Sequence, residues 1–429
     1  MESIEQHESQ VRSYCRGWPT TFVSGRGATL TAADGREYVD FFAGAGALNY
    51  GHNDPTMRDA LIDYLTSGGV IHGLDMATAA KERFLDTFHD LILAPRNLDY
   101  VVQFPGPTGT NAVEAALKLA RKVKGRDGIA SFTNGFHGMT LGALAVTGNA
   151  MKREGAGVPL TNTVNLPFEG FHGSDVDTIE LIARVLDQDG SGVDLPAAVI
   201  VETVQAEGGI HVASMEWLRR LREVCDELDM LLIVDDIQAG CGRTGSFFSF
   251  EEAGIEPDIV CLSKSISGFG LPMALTLFRR EHDIWIPGEH NGTFRGNNAA
   301  FVTGTVALEK YWGDSVLSRE TQRKSAAVRE RLSMLAEAHP GVFGEVRGRG
   351  LIQGIDSLSG ETADLVTTRA FELGLLLETA GPDGEITKLL PSLTIEDDLL
   401  DRGLTLLEQA VEDVVDREGA RLLEVAEAN

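Results

Sequence analysis

Cysteine is scarce and scattered in this 429-residue chain: Cys15, Cys225, Cys241 and Cys261 form no CxxC pair and show no zinc-ligand spacing. That argues against a disulfide framework and fits reduced thiols in a soluble cytoplasmic protein. Positive charge is also short. The 37 basic residues face 64 acidic ones, for a net charge of −27 and a pI near 4.7. Nucleic acid and anionic membrane surfaces are therefore disfavoured as partners. Solubility and adaptation to salt account for such acidity equally well. No apolar run approaches the ~20 residues of a membrane span. The polar opening Met1-Glu2-Ser3-Ile4-Glu5 lacks the apolar core of a signal peptide. None of the ten histidines belongs to a cluster with metal-ligand spacing, and no Ser/His/Asp set stands out. No metal is expected.

Hydrophobic content of 43% and charged content of 24% are those of a folded globular chain, and the length allows more than one domain. Asp34-Gly35-Arg36, between Thr29-Leu30-Thr31 and Tyr38-Val39-Asp40-Phe41, predicts a hairpin. A helical period follows over Met57–Leu65. From about Leu98 to Val260, strands and helices alternate, the pattern of a doubly wound, mostly parallel sheet. The expected strands are Tyr100–Phe104, Ile129–Phe132, Ala197–Glu202, Leu231–Asp235 and Ile259–Ser263, with Met273–Arg279 as a further one. Helices are expected over Asn111–Lys124, Asp177–Asp187 and Met215–Leu228. A long polar helix, about Ser318 to Ala338, leads into a smaller α+β domain with strands within Gly341–Asp356 and Thr387–Ile395. The stripe Leu400, Leu404, Leu407, Val411 and Val414 predicts a final helix packed on a core. These boundaries give an N-terminal segment (1–52) belonging to a small domain, a large domain (53–315) and a C-terminal part (316–429) that completes the small one.

Two strand ends carry the chemistry. Asp258-Ile259-Val260-Cys261-Leu262-Ser263 runs into Lys264, and Leu231-Leu232-Ile233-Val234 runs into Asp235-Asp236. In open α/β sheets ligands bind at the carboxyl ends of the strands. A lysine brought there from water becomes a usable nucleophile. Beside an aspartate it suits pyridoxal phosphate, Lys264 bonding the cofactor covalently and Asp235 pairing with its ring nitrogen. Phe104-Pro105-Gly106-Pro107-Thr108-Gly109-Thr110-Asn111 opens a helix and offers backbone N–H groups to a phosphate, with Asn111 and Glu114 fitting a capping box. Phe136-His137-Gly138 could cover one face of a pyridine ring and Ile237 the other, with Gln238 as a neighbouring donor. Gly240-Cys241-Gly242-Arg243-Thr244-Gly245 matches GxGxxG. The Ser246-Phe247-Phe248-Ser249-Phe250 that follows is no amphipathic helix, so an active-site loop is favoured over a nicotinamide site. Glu202 and Glu207 are carboxylates at a sheet edge, either solvated or facing a substrate cation.

Taken jointly, from about Gly27 to Thr394, these residues resemble the class III aminotransferases, the ω-amino acid branch of the fold-type I pyridoxal phosphate enzymes. Thr108-Gly109-Thr110-Asn111-Ala112-Val113-Glu114 is similar to the family's phosphate turn, and Phe136-His137-Gly138 to its ring-stacking segment. Asp235-Asp236-Ile237-Gln238-Ala239-Gly240 resembles its pyridinium-acid segment, and Ser263-Lys264-Ser265 its cofactor lysine. The resemblance implies an aminotransferase acting on small molecules. It implies cofactor contacts from Thr108, Gly109, Thr110, Phe136, His137, Asp235, Ile237, Gln238 and Lys264. It implies that Thr293 reaches the cofactor of a neighbouring subunit, hence a homodimer or larger homo-oligomer. It also implies that Glu207 handles substrate together with a switch arginine; this chain has Lys388 at that position, and Met139 where ornithine and 4-aminobutyrate transaminases carry another arginine.

Overall fold

The computed structural model describes residues 2–428. The chain falls into two compact units, Pro55–Arg319 and Met1–Asp54 with Glu320–Asn429.

The larger unit is built on a seven-stranded sheet. Its spatial order is Tyr100–Gln103, Leu275–Arg279, Ile259–Leu262, Leu231–Asp235, Ala198–Val201, Ile129–Phe132 and Thr163–Leu166. Leu275–Arg279 runs antiparallel to both neighbours, and the other six strands share one direction. The central strands are apolar throughout because helices cover the sheet, so no face alternates with water. The Gly109–Lys124 helix packs Ala112, Val113, Ala116, Leu117 and Ala120 onto Ile129, Ala198, Ile200, Leu231, Ile233 and Ile259. The Thr178–Asp187 and Met215–Glu227 helices begin on Asp177 and Ser214, whose side chains accept the N–H groups of Glu180 and Trp217.

Two elements escape the sequence pattern. Thr163–Leu166 is a short edge strand, half polar, that pairs in parallel with Ile129–Phe132. The Asn298–Tyr311 helix, capped by Asn297, buries most of its residues, including Ala300, Phe301, Thr303, Thr305 and Leu308, and exposes only Glu309 and Lys310, so its polar stripe is too short to read as a period. The connection between Leu231–Asp235 and Ile259–Leu262 carries no α-helix, only a 3₁₀ turn at Glu251–Ala253. Phe247 and Phe248 anchor it, Phe247 meeting Phe88 and Trp312 edge to face, while Arg96 lies over Phe247 and bonds Glu251 at 2.9 Å.

The smaller unit holds two four-stranded sheets. In one, Phe22–Arg26, Thr29–Ala32 and Glu37–Asp40 form a meander, with Leu375–Leu376 added in parallel to Glu37–Asp40. In the other, Val346–Arg349, Ile352–Asp356, Ile386–Leu389 and Glu378–Ala380 follow in antiparallel order. Leu400, Leu404, Leu407, Val411 and Val414 of the long Asp397–Ala428 helix are all buried.

Candidate active site

The strand ends converge on a cavity of about 190 Å³ lined by Gly109, Thr110, Phe136, His137, Gly138, Glu202, Val204, Glu207, Asp235, Ile237, Gln238, Ala239 and Lys264. Lys264 follows Ile259–Leu262 by two residues and opens a 3₁₀ turn with φ of 51°, a left-handed conformation that a side chain with a β-carbon seldom adopts. The parallel register sets Asp235 beside Cys261, three residues before Lys264.

Asp235, His137 and Glu202 are 5%, 3% and 8% exposed. His137 Nδ1 lies 2.8 Å from Asp235 Oδ2, and the Ile237 N–H donates to Asp235 Oδ1 at 3.2 Å. Burial of the His137 ring opposes its charged form. The hydrogen bond and charge of Asp235, with the charge of Glu202, outweigh that and raise it above the usual histidine range. Of the two adjoining acids, only Asp235 lines the cavity. Asp236 is buried behind it and accepts the Ser249 N–H at 3.0 Å.

At the mouth, Thr108 caps the Gly109–Lys124 helix, its N–H and hydroxyl both donating to Asn111 Oδ1 at 3.2 and 2.8 Å. The expected capping box therefore pairs Thr108 with Asn111, not Asn111 with Glu114. Glu114 reaches across instead, accepting from the Thr140 hydroxyl at 2.6 Å and from the Gly142 and Ala143 N–H groups. Thr110 and Thr140 share a hydroxyl contact at 2.6 Å. Lys152 places its ammonium 4.2 Å above the Phe136 ring, and Gln238 donates to Glu207 Oε1 at 3.2 Å.

Not every expected residue meets in this cavity. Thr108 stands exposed at the helix start, and Thr293 is exposed on the loop before the Asn298–Tyr311 helix. Lys388 belongs to the smaller unit, fully buried in Ile386–Leu389, with Nζ 2.9 Å from Glu378 Oε1 of the strand directly opposite. The Gly240–Gly245 loop is a series of turns with no helix after it, so no helix N-terminus awaits a dinucleotide there. Glu202 and Glu114 carry more of the site than sequence reasoning gave them. Glu202 had a legible signal, since it closes an apolar strand as Asp235 does. Glu114 had none.

A helix start, a buried aspartate–imidazole pair and a lysine thus meet at the strand ends of a mostly parallel sheet, the fold-type I architecture. The chain matches the family model of the class III aminotransferases over residues 16–411, and it belongs to that family. It is 60% identical over 409 residues to a diaminobutyrate–2-oxoglutarate transaminase of Streptomyces coelicolor, spanning 95% of this chain and 97% of the relative. It is 58% identical over 416 residues to a protein of the same name in Halalkalibacterium halodurans, covering 97% of each. The crystal structure of the ornithine aminotransferase from Toxoplasma gondii superposes with a TM-score of 0.84 at 25% identity, covering 97% of this chain and 95% of that one.

Pyridoxal 5′-phosphate is the cofactor of this family, and the cavity fits it. A β-carbon at Gly109 would come within 3.0 Å of the Ile237 side chain, so glycine keeps open the space between the helix start and the Ile237 wall. Phe136 and Ile237 offer an aromatic and an aliphatic surface. Asp235 is the acid that would face a ring nitrogen, and Lys264 the amine that would meet an aldehyde.

Proposed function

We propose that this chain transfers the amino group of L-glutamate to L-aspartate 4-semialdehyde, giving L-2,4-diaminobutyrate and 2-oxoglutarate. The observation that carries this reading is the near-full-length identity of 58 and 60% to transaminases named for that pair of substrates. Pyridoxal phosphate, when bound, supplies an electron-withdrawing ring that makes a substrate Cα–H bond acidic. Asp235, backed by His137, would hold the proton on the ring nitrogen. Lys264 is the amine that would hold the cofactor's aldehyde and, when free, would take up a proton at its Nζ. Phe136 and Ile237 would bound the ring plane, and the helix start at Gly109 and Thr110, beside the Thr108 cap, would hold the phosphate. Glu207, which lines the cavity, is the substrate-side acid of this reading; Lys388, at the position of the family's switch arginine, is buried against Glu378 in the smaller unit. A lysine there lacks the planar fork of an arginine.

The large unit serves as the cofactor domain, and both termini build the smaller one. Two such chains form a homodimer, Thr293 of each serving the other's cofactor. The exposed Val70, Ile71, Leu74, Met76 and Phe294 support this, being apolar surface that a partner would cover. The reaction belongs to ectoine biosynthesis in the cytoplasm, and the net charge of −27 agrees with a compatible-solute pathway.

The visible spectrum of the holoenzyme tests the reading. The band of the bound cofactor is expected to bleach with glutamate and return with aspartate 4-semialdehyde. Recovery only with another carbonyl compound, such as the semialdehyde related to ornithine, would move the assignment elsewhere in the family. Lys264→Ala is expected to keep the fold, lose the band and slow turnover by at least about a thousandfold. Lys388→Met is expected to change the preference between glutamate and diaminobutyrate while cofactor affinity holds; an unchanged preference removes its substrate role.

A further inference from the structure

Glu202 lines the cavity yet takes no part in the chemistry above. It continues Ala198–Val201 by one residue, and the register that pairs Val234 with Val201 carries Glu202 beside Asp235. Two carboxyls therefore stand at adjacent strand ends facing one imidazole. His137 Nδ1 is 2.8 Å from Asp235 Oδ2 and 4.0 Å from Glu202 Oε1. Glu202 Oε1 also accepts the Phe136 N–H at 2.6 Å, so it grips the loop that carries the aromatic wall. Glu207 adds a further acid, and Lys264 lines the same cavity. Two buried carboxylates against one imidazolium leave an excess negative charge that a low-dielectric pocket disfavours, so such a group retains a proton.

We propose that Glu202 is a positioning residue that holds Phe136 in place and keeps the site's extra proton, leaving Asp235 as the ionised carboxylate for the ring nitrogen. The proposal rests on the pyridoxal phosphate reading of the cavity. Burial raises the Glu202 carboxyl to about 8; the charge of His137 opposes the shift and the charges of Asp235 and Glu207 add to it. With Oε1 engaged by Phe136, the proton belongs on Oε2.

Infrared difference spectra of the holoenzyme and of Glu202→Gln, taken well below and well above pH 8, test the proton. The carbonyl stretch of a protonated carboxylic acid is expected at neutral pH, lost above pH 8, and missing from the variant at both. Its absence from the wild type at neutral pH, or its persistence in Glu202→Gln, overturns the proposal. Cofactor retention at neutral pH tests the grip on Phe136. Glu202→Ala, which removes the acceptor, is expected to weaken retention roughly tenfold, and Glu202→Gln, which keeps one, by no more than about threefold. Equal retention by all three proteins overturns the positioning role. If the wild type takes up no pyridoxal phosphate, the reading of the cavity fails, and the infrared comparison on the cofactor-free protein still judges the proton.

Discussion

Asp258 shows how single residues in this chain set both position and stability. It precedes the strand that delivers Lys264 and is buried at the opposite end of that strand. Its Oδ2 accepts from Arg222 at 2.7 Å and from the Leu232 N–H at 2.8 Å, which ties the two central strands together. Burial alone would raise its carboxyl, but the His282 hydrogen bond, the Arg222 charge and the Leu232 N–H outweigh that and hold it well below the usual carboxylate range. A carboxyl lowered by folding adds stability above its unfolded value, near 4, and loses it as the pH falls towards the folded one. Asp258→Asn is expected to cost about 2–3 kcal/mol at neutral pH, with the gap to wild type closing on acidification; urea unfolding at several pH values measures it. Glu202 runs the other way. Its carboxyl is raised in the folded chain, so its contribution to stability declines between the unfolded value, near 4.5, and about 8. Glu202→Gln is expected to remove that slope from the difference curve.

At the scale of elements, the site is made by loops at one edge of the sheet, and their fit depends on positions where no side chain can stand. Gly138 has a φ of 130°, and a β-carbon there would lie 2.5 Å from Thr110 Oγ1. Gly138→Ala is expected to lower stability by about 1–3 kcal/mol and to weaken cofactor binding by roughly tenfold or more, because the ring-stacking loop and the helix start must part. Cofactor titration followed by absorbance, alongside a thermal melt, reads both. In the smaller unit, Lys388 and Glu378 face each other across two paired strands, a fully buried ammonium beside a buried carboxylate. Glu378 carried no signal in the sequence, since Glu378–Ala380 is a three-residue strand. The Gly109–Lys124 helix was legible from its glycine and hydroxyl opening, but its cap was not. Which of Thr108, Asn111 and Glu114 bond one another depends on where the loop around Thr140 comes to rest.

Across the whole molecule, the excess of acid acts as a diffuse field. A net charge of −27 repels itself most in the compact state. Added salt shortens the screening distance from about 30 Å at 0.01 M to about 8 Å at 0.15 M. The melting temperature is therefore expected to rise by several degrees over that range, in sodium chloride at fixed pH. A flat response would mean that the acids are locally paired and not a net burden.

The alternation of apolar runs and helical stretches, with Lys264 and Asp235 closing two of the runs, determined most of the sheet, the cofactor class and the edge at which these two residues meet. Those features are local or periodic, and period and strand-end position are written into the order of residues. The tertiary structure alone decided the parallel edge strand Thr163–Leu166 and the extensive burial of Asn298–Tyr311. It also decided the antiparallel place of Leu275–Arg279 and the meeting of His137, Asp235 and Glu202. Each depends on which distant strand becomes a neighbour, and burial beside that neighbour determines what a side chain pairs with and which acid keeps its proton.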